Sequence, residues 1–228
     1  MKKFILTDET IEMFCVTLHR IKAVCSFGNV NEGDFGGYIE KEENLSHSGE
    51  AWVSGEARVY GKAQVYGEAW VSGKAQVYGE ALVSGQARVS GEALVSGEAW
   101  VYGEAQVSGK AQVYGEAQVY GEARVYGEAQ VYGEAQVSGK AQVSGEAWVS
   151  DIADYIVFNN WWSSGRYFTW TRSNNMWSVG CFYGTGEELI KKAYKDSEKS
   201  GREYERVVRF VESILEDEKN DNNQEKHV

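Results

Sequence analysis

Between Gly49 and Gly145 a glycine recurs every six residues through 17 uninterrupted units, each reading Gly-[Glu/Lys/Gln]-Ala-x-Val-[Ser/Tyr]. Alanine and valine stand two apart, so in extended chain they point the same way, while the residue between them and the Ser/Tyr after valine point the other way. A small and a β-branched apolar residue inside, polar residues outside and glycine at each corner predict stacked coils of a parallel β-helix. A helical reading fails, because glycine and valine at a period of six are weak helix formers and give no 3.6-residue stripe.

The flanks follow other patterns. "KFILTDE" and "VTLHRIKAV" alternate like strands of a hairpin, with Gly33, Gly36 and Gly37 expected in the turn before the first coil. After Asp151, "YIVFNN", "RYFTWTR" and "MWSVGCFYG" read as three short strands, the second turning into the third at Ser173-Asn174-Asn175. Thr185 and Glu188 have capping-box spacing for a helix with Leu189, Ile190, Ala193 and Tyr194 on one side, ended by Ser200-Gly201. A second helix turns Tyr204, Val207, Val208, Val211, Ile214 and Leu215 inward, and the remainder reads as a frayed polar tail. The organisation predicted is a β cap over 1–48, a hexapeptide β-helix over 49–154, a small α+β domain over 155–217 with three strands and two helices, and a tail over 218–228. The fold class is mainly β.

The hexapeptide run resembles the left-handed parallel β-helix family, in which three six-residue faces make an 18-residue triangular coil. That resemblance implies between five and six coils here and a prism roughly 25–30 Å long. Sorted by 18, the post-valine residues partly separate into a serine ladder (Ser54, Ser72, Ser90, Ser108, Tyr126, Ser144) and a tyrosine-rich one (Tyr60, Tyr78, Ser96, Tyr114, Tyr132, Ser150), as stacking of like side chains favours.

The outward residue between alanine and valine is apolar mainly towards the N-terminus: Trp52, Trp70, Leu82, Leu94 and Trp100. Such residues on neighbouring coils imply a cover, supplied either by the chain's own N-terminal segment or by a partner subunit. Helices of the family often form trimers, so these five are the oligomer-interface candidates and a homotrimer is the favoured assembly. Glu80, Glu98, Glu116 and Glu134 repeat every 18 residues as a solvated acidic edge able to accept a cation or a basic partner.

Charge and composition narrow the field. The net charge of −11 is spread along the chain and argues against free DNA as a ligand. Cys15, Cys25 and Cys181 are odd in number and lack C-x-x-C spacing, which fits a reduced, cytoplasmic protein. "MKKFIL" starts like an export signal, but its apolar run stops at Thr7-Asp8-Glu9, and no stretch approaches membrane-spanning length. Proline is absent, in keeping with a chain of hydrogen-bonded coils.

Hexapeptide acyltransferases use a histidine base, and the related zinc enzymes need three histidines. His19, His47 and His227 all lie outside the 17 units, and no insertion makes a cleft, so no catalytic residue, metal or cofactor is expected. His47 falls on a back-extrapolated valine position and suits a capping or core role. Cys181 in "GCFYG" has no neighbouring histidine and reads as a buried packing residue.

Binding fits better. The terminal region is rich in aromatics, and residues 191–209 carry seven basic against four acidic side chains. Basic groups beside aromatic rings can stack a base and pair a phosphate, which makes Arg166, Tyr167, Trp170, Arg172, Trp177, Arg202, Arg206 and Arg209 the ligand-binding candidates. The alternative is a solvated helix face over an aromatic core.

Taken together, "LTDETI", "HRIKAV", "GDFGGYIEKEENLS", "SSGRYFTW" and "GCFYGTGEEL" resemble a group of β-helix proteins of bacteriophages and prophages with a GCF-x-GT C-terminal domain. That resemblance implies a phage setting and carries no activity. The reading it leaves is a non-enzymatic protein that sequesters or blocks a host component. The target would be a nucleotide signal, or a nucleic-acid-binding defence protein occupied by the acidic prism. The alternatives are a structural virion fibre or scaffold protein and, behind it, an acyltransferase-like enzyme.

Overall fold

The computed structural model describes residues 2–225. Seventeen two-residue strands, from Trp52–Val53 to Trp148–Val149, stack as rungs of a parallel β-solenoid on three faces. Each rung pairs in parallel with the rung 18 residues away, as Trp52 with Trp70 and Val53 with Val71. Amides donate to carbonyls 17 residues on, for example Trp52 N to Ala69 O at 2.9 Å and Ser54 N to Val71 O at 2.8 Å. Alanine and valine of every unit from Ala51 to Val149 are fully buried, so the interior is built from those two side chains alone. The corners need glycine: Gly85 has φ +64°, and a Cβ there would stand 2.9 Å from Gly103 N and O on the next coil.

The three faces carry different residues. One holds Trp52, Trp70, Arg88, Gln106, Arg124 and Gln142; the second Arg58, Gln76, Leu94, Gln112, Gln130 and Trp148; the third Gln64, Leu82, Trp100, Gln118 and Gln136. The five apolar interface candidates are therefore divided among all three faces and form no common seam. The expected tyrosine ladder stacks with parallel rings, Tyr60 on Tyr78 at 5.1 Å and Tyr114 on Tyr132 at 5.3 Å. A further pair, Tyr102 on Tyr120 at 5.0 Å, stands beside exposed Trp100.

At the N-terminal end, β1 (Phe4–Met13) and β2 (Val16–Ala23) form the expected hairpin. β3 (Phe35–Ile39) pairs antiparallel with β2 and parallel with the Arg58–Val59 rung, which extends one face into a nine-stranded sheet. Gly36 and Gly37 lie within β3, not in a turn, and close packing excludes a side chain there: a Cβ at Gly36 would enter Ile21 and Trp52, and one at Gly37 the Ala57 carbonyl. The repeat register also breaks earlier than expected: Leu45, not His47, bridges Val65 and fills the core position. His47 instead stacks on Phe4, with ring centroids 4.3 Å apart.

At the other end stand four strands rather than three: β4 (Tyr155–Asn159), β5 (Tyr167–Thr171), β6 (Met176–Val179) and β7 (Phe182–Gly184). "MWSVGCFYG" is itself a tight hairpin turning at Gly180-Cys181, with Gly180 at φ +59°. α1 (Gly186–Asp196) starts on the expected Thr185/Glu188 capping box. It ends at Ser197, not at Ser200-Gly201. Gly201 lies inside α2 (Glu198–Glu225), where the Tyr194 ring occupies the space of a Cβ. α2 continues through the segment expected as a frayed tail; His227 lies outside the described residues.

This cap has three layers: solenoid end, four-stranded sheet, helix pair. Phe168, Trp170 and Trp177 pack with Leu189, Ile190, Tyr204, Val208 and Val211 on the helix side. Thr169 and Ser178 face the last coil.

The two caps are chemically complementary to the ends they close. Three amides of each unit, as at Glu50, Trp52 and Ser54, donate towards the next coil, so the first coil presents unclaimed carbonyls and the last presents unclaimed amides. The N-terminal cap supplies donors: Lys3 Nζ to Ala51 O at 2.7 Å, Asn44 Nδ2 to Ala63 O at 2.8 Å and Tyr38 N to Ala57 O at 2.9 Å. The C-terminal cap supplies acceptors: Thr169 Oγ1 for Gln142 N at 2.8 Å, Ser173 Oγ for Trp148 N at 2.7 Å and Asp154 Oδ2 for Ser150 N at 2.7 Å.

Candidate functional site

Most of the basic candidates are already engaged. Arg172 binds Glu218 through both guanidinium nitrogens at 2.5 and 3.1 Å and donates to Ala153 O, which makes it a tie between sheet and α2. Arg202 pairs with Glu198, Arg206 with Glu203, and Arg209 with both Glu187 and Glu212. Trp170 and Trp177 are buried in the helix-side core, where Trp170 Nε1 donates to Asn175 Oδ1 at 2.8 Å. Tyr167 is partly exposed, with the Lys140 ammonium 5.3 Å from its ring centroid. The eight ligand candidates therefore do not form one site.

Arg166 is the exception. It is exposed, and among the described residues it has no carboxylate partner within ion-pair reach. The loop before it is fixed by buried Asn160, whose Oδ1 accepts from Ser163 N and Oγ at 3.0 Å and whose Nδ2 donates to the Tyr204 hydroxyl at 3.0 Å. Asn160 N also donates to Arg166 O at 2.8 Å, which closes the loop onto β5.

Arg166 stands at a groove of about 450 Å³ between this loop, the β6–β7 turn and the helix pair. Lys192 lines the same groove, likewise without a described carboxylate partner, its ammonium 5.3 Å from the Phe182 ring centroid. Ser197 caps α2 by accepting Ser200 N at 3.1 Å, so the positive end of a 28-residue helix opens on the groove. Asp196 is the one carboxylate in the lining. Burial raises the Tyr204 pKa, opposed by its Asn160 hydrogen bond and the Arg166 charge, so the hydroxyl stays protonated as a donor. Two cations, hydroxyls and a helix N-terminus suit an anion.

In the sequence Lys192 counts only as one charge in a basic run, and Asn160 as the end of the strand "YIVFNN". No periodicity links a loop before β5 to one side of α1, so this pairing had no signal in the sequence. Cys181 is exposed at the β6–β7 turn and lines the groove, against the expectation of a buried packing residue. His19 and His47 belong to the N-terminal cap, His19 Nδ1 lying 3.2 Å from Thr7 O. Within the acidic edge, Glu80 pairs with Lys62 at 2.7 Å. Among the described residues no group of three or more His, Cys, Asp or Glu could hold a metal, and no helix is long and apolar enough to cross a membrane.

Fold and terminal caps define a repeat β-solenoid protein. Residues 117–133 match the YdcK beta solenoid repeat, which is similar to this chain over that stretch of the coils. No curated protein matches the chain.

Proposed function

We propose that this is a non-enzymatic binding protein of phage type in which the solenoid is a rigid spacer and the C-terminal cap holds a small phosphate-bearing ligand of nucleotide kind, removing a host signal from circulation. The observation that carries this reading is the pair Arg166 and Lys192. They face one groove without described carboxylate partners, while the other candidate arginines are neutralised in place. Alternating charge along α2 supports solubility, and the groove supports recognition.

Native mass spectrometry of tagged protein from bacterial lysate tests the proposal, followed by calorimetric titration with nucleoside mono- and oligophosphates. Retention of a few hundred daltons, lost in Arg166→Ala/Lys192→Ala, is the expected result. Retention unchanged in that variant would place the ligand elsewhere, and the absence of small-molecule binding would reject the sponge.

A second reading, a self-associating structural part such as a fibre or scaffold, draws support from the third face. The residue between alanine and valine is uncharged in every rung of this face, with Leu82, Trp100 and the Tyr102–Tyr120 stack at its centre. A homotrimer through this face is compatible with either reading.

A further inference from the structure

A second, larger groove lies at the opposite end of the molecule, and nothing in the proposed function uses it. It has a volume of about 640 Å³ and runs along the Trp52 face of the solenoid beneath the turn Phe27–Val30. The turn is rigid. Phe27 and Val30 exchange backbone hydrogen bonds at 3.0 and 2.8 Å, Phe27 packs edge-on to buried Trp52, and Val30 is buried. Gly28 has φ +49° and lies so close to Glu50 that a Cβ would stand 2.7 Å from its carboxylate oxygen, so the turn is seated directly on the solenoid edge.

Down this face the cover runs out in steps, one coil at a time. Trp52 is covered, Trp70 is half-buried, and Arg88 is exposed, in register one above another. Trp70 lines the groove as an aromatic surface, its indole Nε1 already satisfied by Ser54 Oγ at 3.1 Å, which leaves the ring as its unused part. Arg88 has no partner among the described residues. Along the corner edge stand Glu50 and Glu68, the latter oriented by Gln86 Nε2 at 3.0 Å, and Asn29 contributes from the turn.

We propose that this groove binds a neutral sugar ring, such as one unit of an uncharged oligosaccharide. A pyranose has one face of C–H groups suited to an indole and a rim of hydroxyls that both donate and accept. The groove offers that combination: an aromatic surface, a guanidinium donor, two carboxylate acceptors and amides able to do both. With two carboxylates against one guanidinium, an anionic ligand is repelled, which separates this site from the anion groove at the far cap. Fixed walls keep the ordering cost of binding low.

Saturation-transfer NMR and titration calorimetry on the full chain test this, with uncharged hexose, deoxyhexose and N-acetylhexosamine oligosaccharides of about three to six units as probes and a uronate oligosaccharide as the charged comparison. The expected result is saturable binding by at least one neutral probe, with transfer strongest on ring C–H protons. Arg88→Ala should weaken it about tenfold, since losing one charge-assisted donor costs about that factor. Trp70→Ala should abolish it, and Trp148→Ala on another face should leave it unchanged. Arg88 is exposed, so its variant folds even if Trp70→Ala does not. No saturable binding by any neutral probe, tighter binding of the uronate, or binding indifferent to Arg88→Ala would each overturn the proposal.

Discussion

Thr169 Oγ1 accepts the backbone amide of Gln142 at 2.8 Å, so a side chain of the terminal sheet completes the hydrogen bonding of the last solenoid coil. Thr169 is fully buried, and its valine isostere keeps the shape while removing the acceptor. Thr169→Val should therefore destabilise the protein by about 1–3 kcal/mol, the cost of an orphaned buried amide. Thr169→Ser should retain most of the stability, and urea unfolding of the two variants side by side gives the comparison.

At the opposite end Lys3 is almost wholly buried, its ammonium on Ala51 O and 4.8 Å from the Phe27 ring centroid. Burial pulls its pKa from 10.5 to about 8, against the raising influence of Cys25 and Glu50. Between those two values the unfolded chain holds a proton that the folded one has released, so stability rises with pH across that window. Below about 8 the cost of the buried charge is fully present. Wild type should gain about 2 kcal/mol relative to Lys3→Met between pH 8 and pH 10, measured from denaturation midpoints. A flat difference between the two would contradict the burial of a charged Lys3.

The corner glycines provide a paired test. A Cβ at Gly85 meets the backbone of Gly103 at 2.9 Å, whereas at Gly139, with the same φ of +64°, nothing lies within 4 Å. Both alanine variants carry the strain of a positive φ, about 1–2 kcal/mol. Gly85→Ala should lose a further ~1–3 kcal/mol through inter-coil contact, visible as a lower melting temperature than that of Gly139→Ala.

Two tryptophans of identical repeat position have opposite surroundings. Trp52 is buried under Phe27 and β3, while Trp100 is 47% exposed on the third face. Trp52→Ala should cost about 3–5 kcal/mol; Trp100→Ala should stay within about 0.5 kcal/mol. Light scattering coupled to size exclusion then asks whether Trp100→Ala reduces any oligomer, the result expected if the third face is the seam.

Arg166 and Arg172 flank the same strand yet have different roles. Arg172→Ala should speed amide exchange in the last turns of α2, which lose their Glu218 tie, and leave phosphate-ligand affinity unchanged. Arg166→Ala should do the reverse, and hydrogen exchange with titration of both variants separates them.

The solenoid was legible in the sequence because its cause is local and repeated. Alanine and valine two apart set the inward face, glycine every six sets the corner, and identical rungs have only one good way to stack. The Thr185/Glu188 cap and the turn at Asn175, which adopts φ +52°, were readable for the same reason.

Tertiary structure decided what depends on partners far along the chain. The register of Leu45 over His47 was set by Phe4 and Val65, and the passage of α2 through Gly201 by the Tyr194 ring. Whether a basic residue is free depends on which glutamate comes within reach. That separated Arg166 and Lys192 from Arg172, Arg202, Arg206 and Arg209. The sequence alone determined the stacked coils and the alanine–valine pair that fills them. What closes each end, and which charges stay open beside a groove, follows from side-chain contacts that periodicity does not encode.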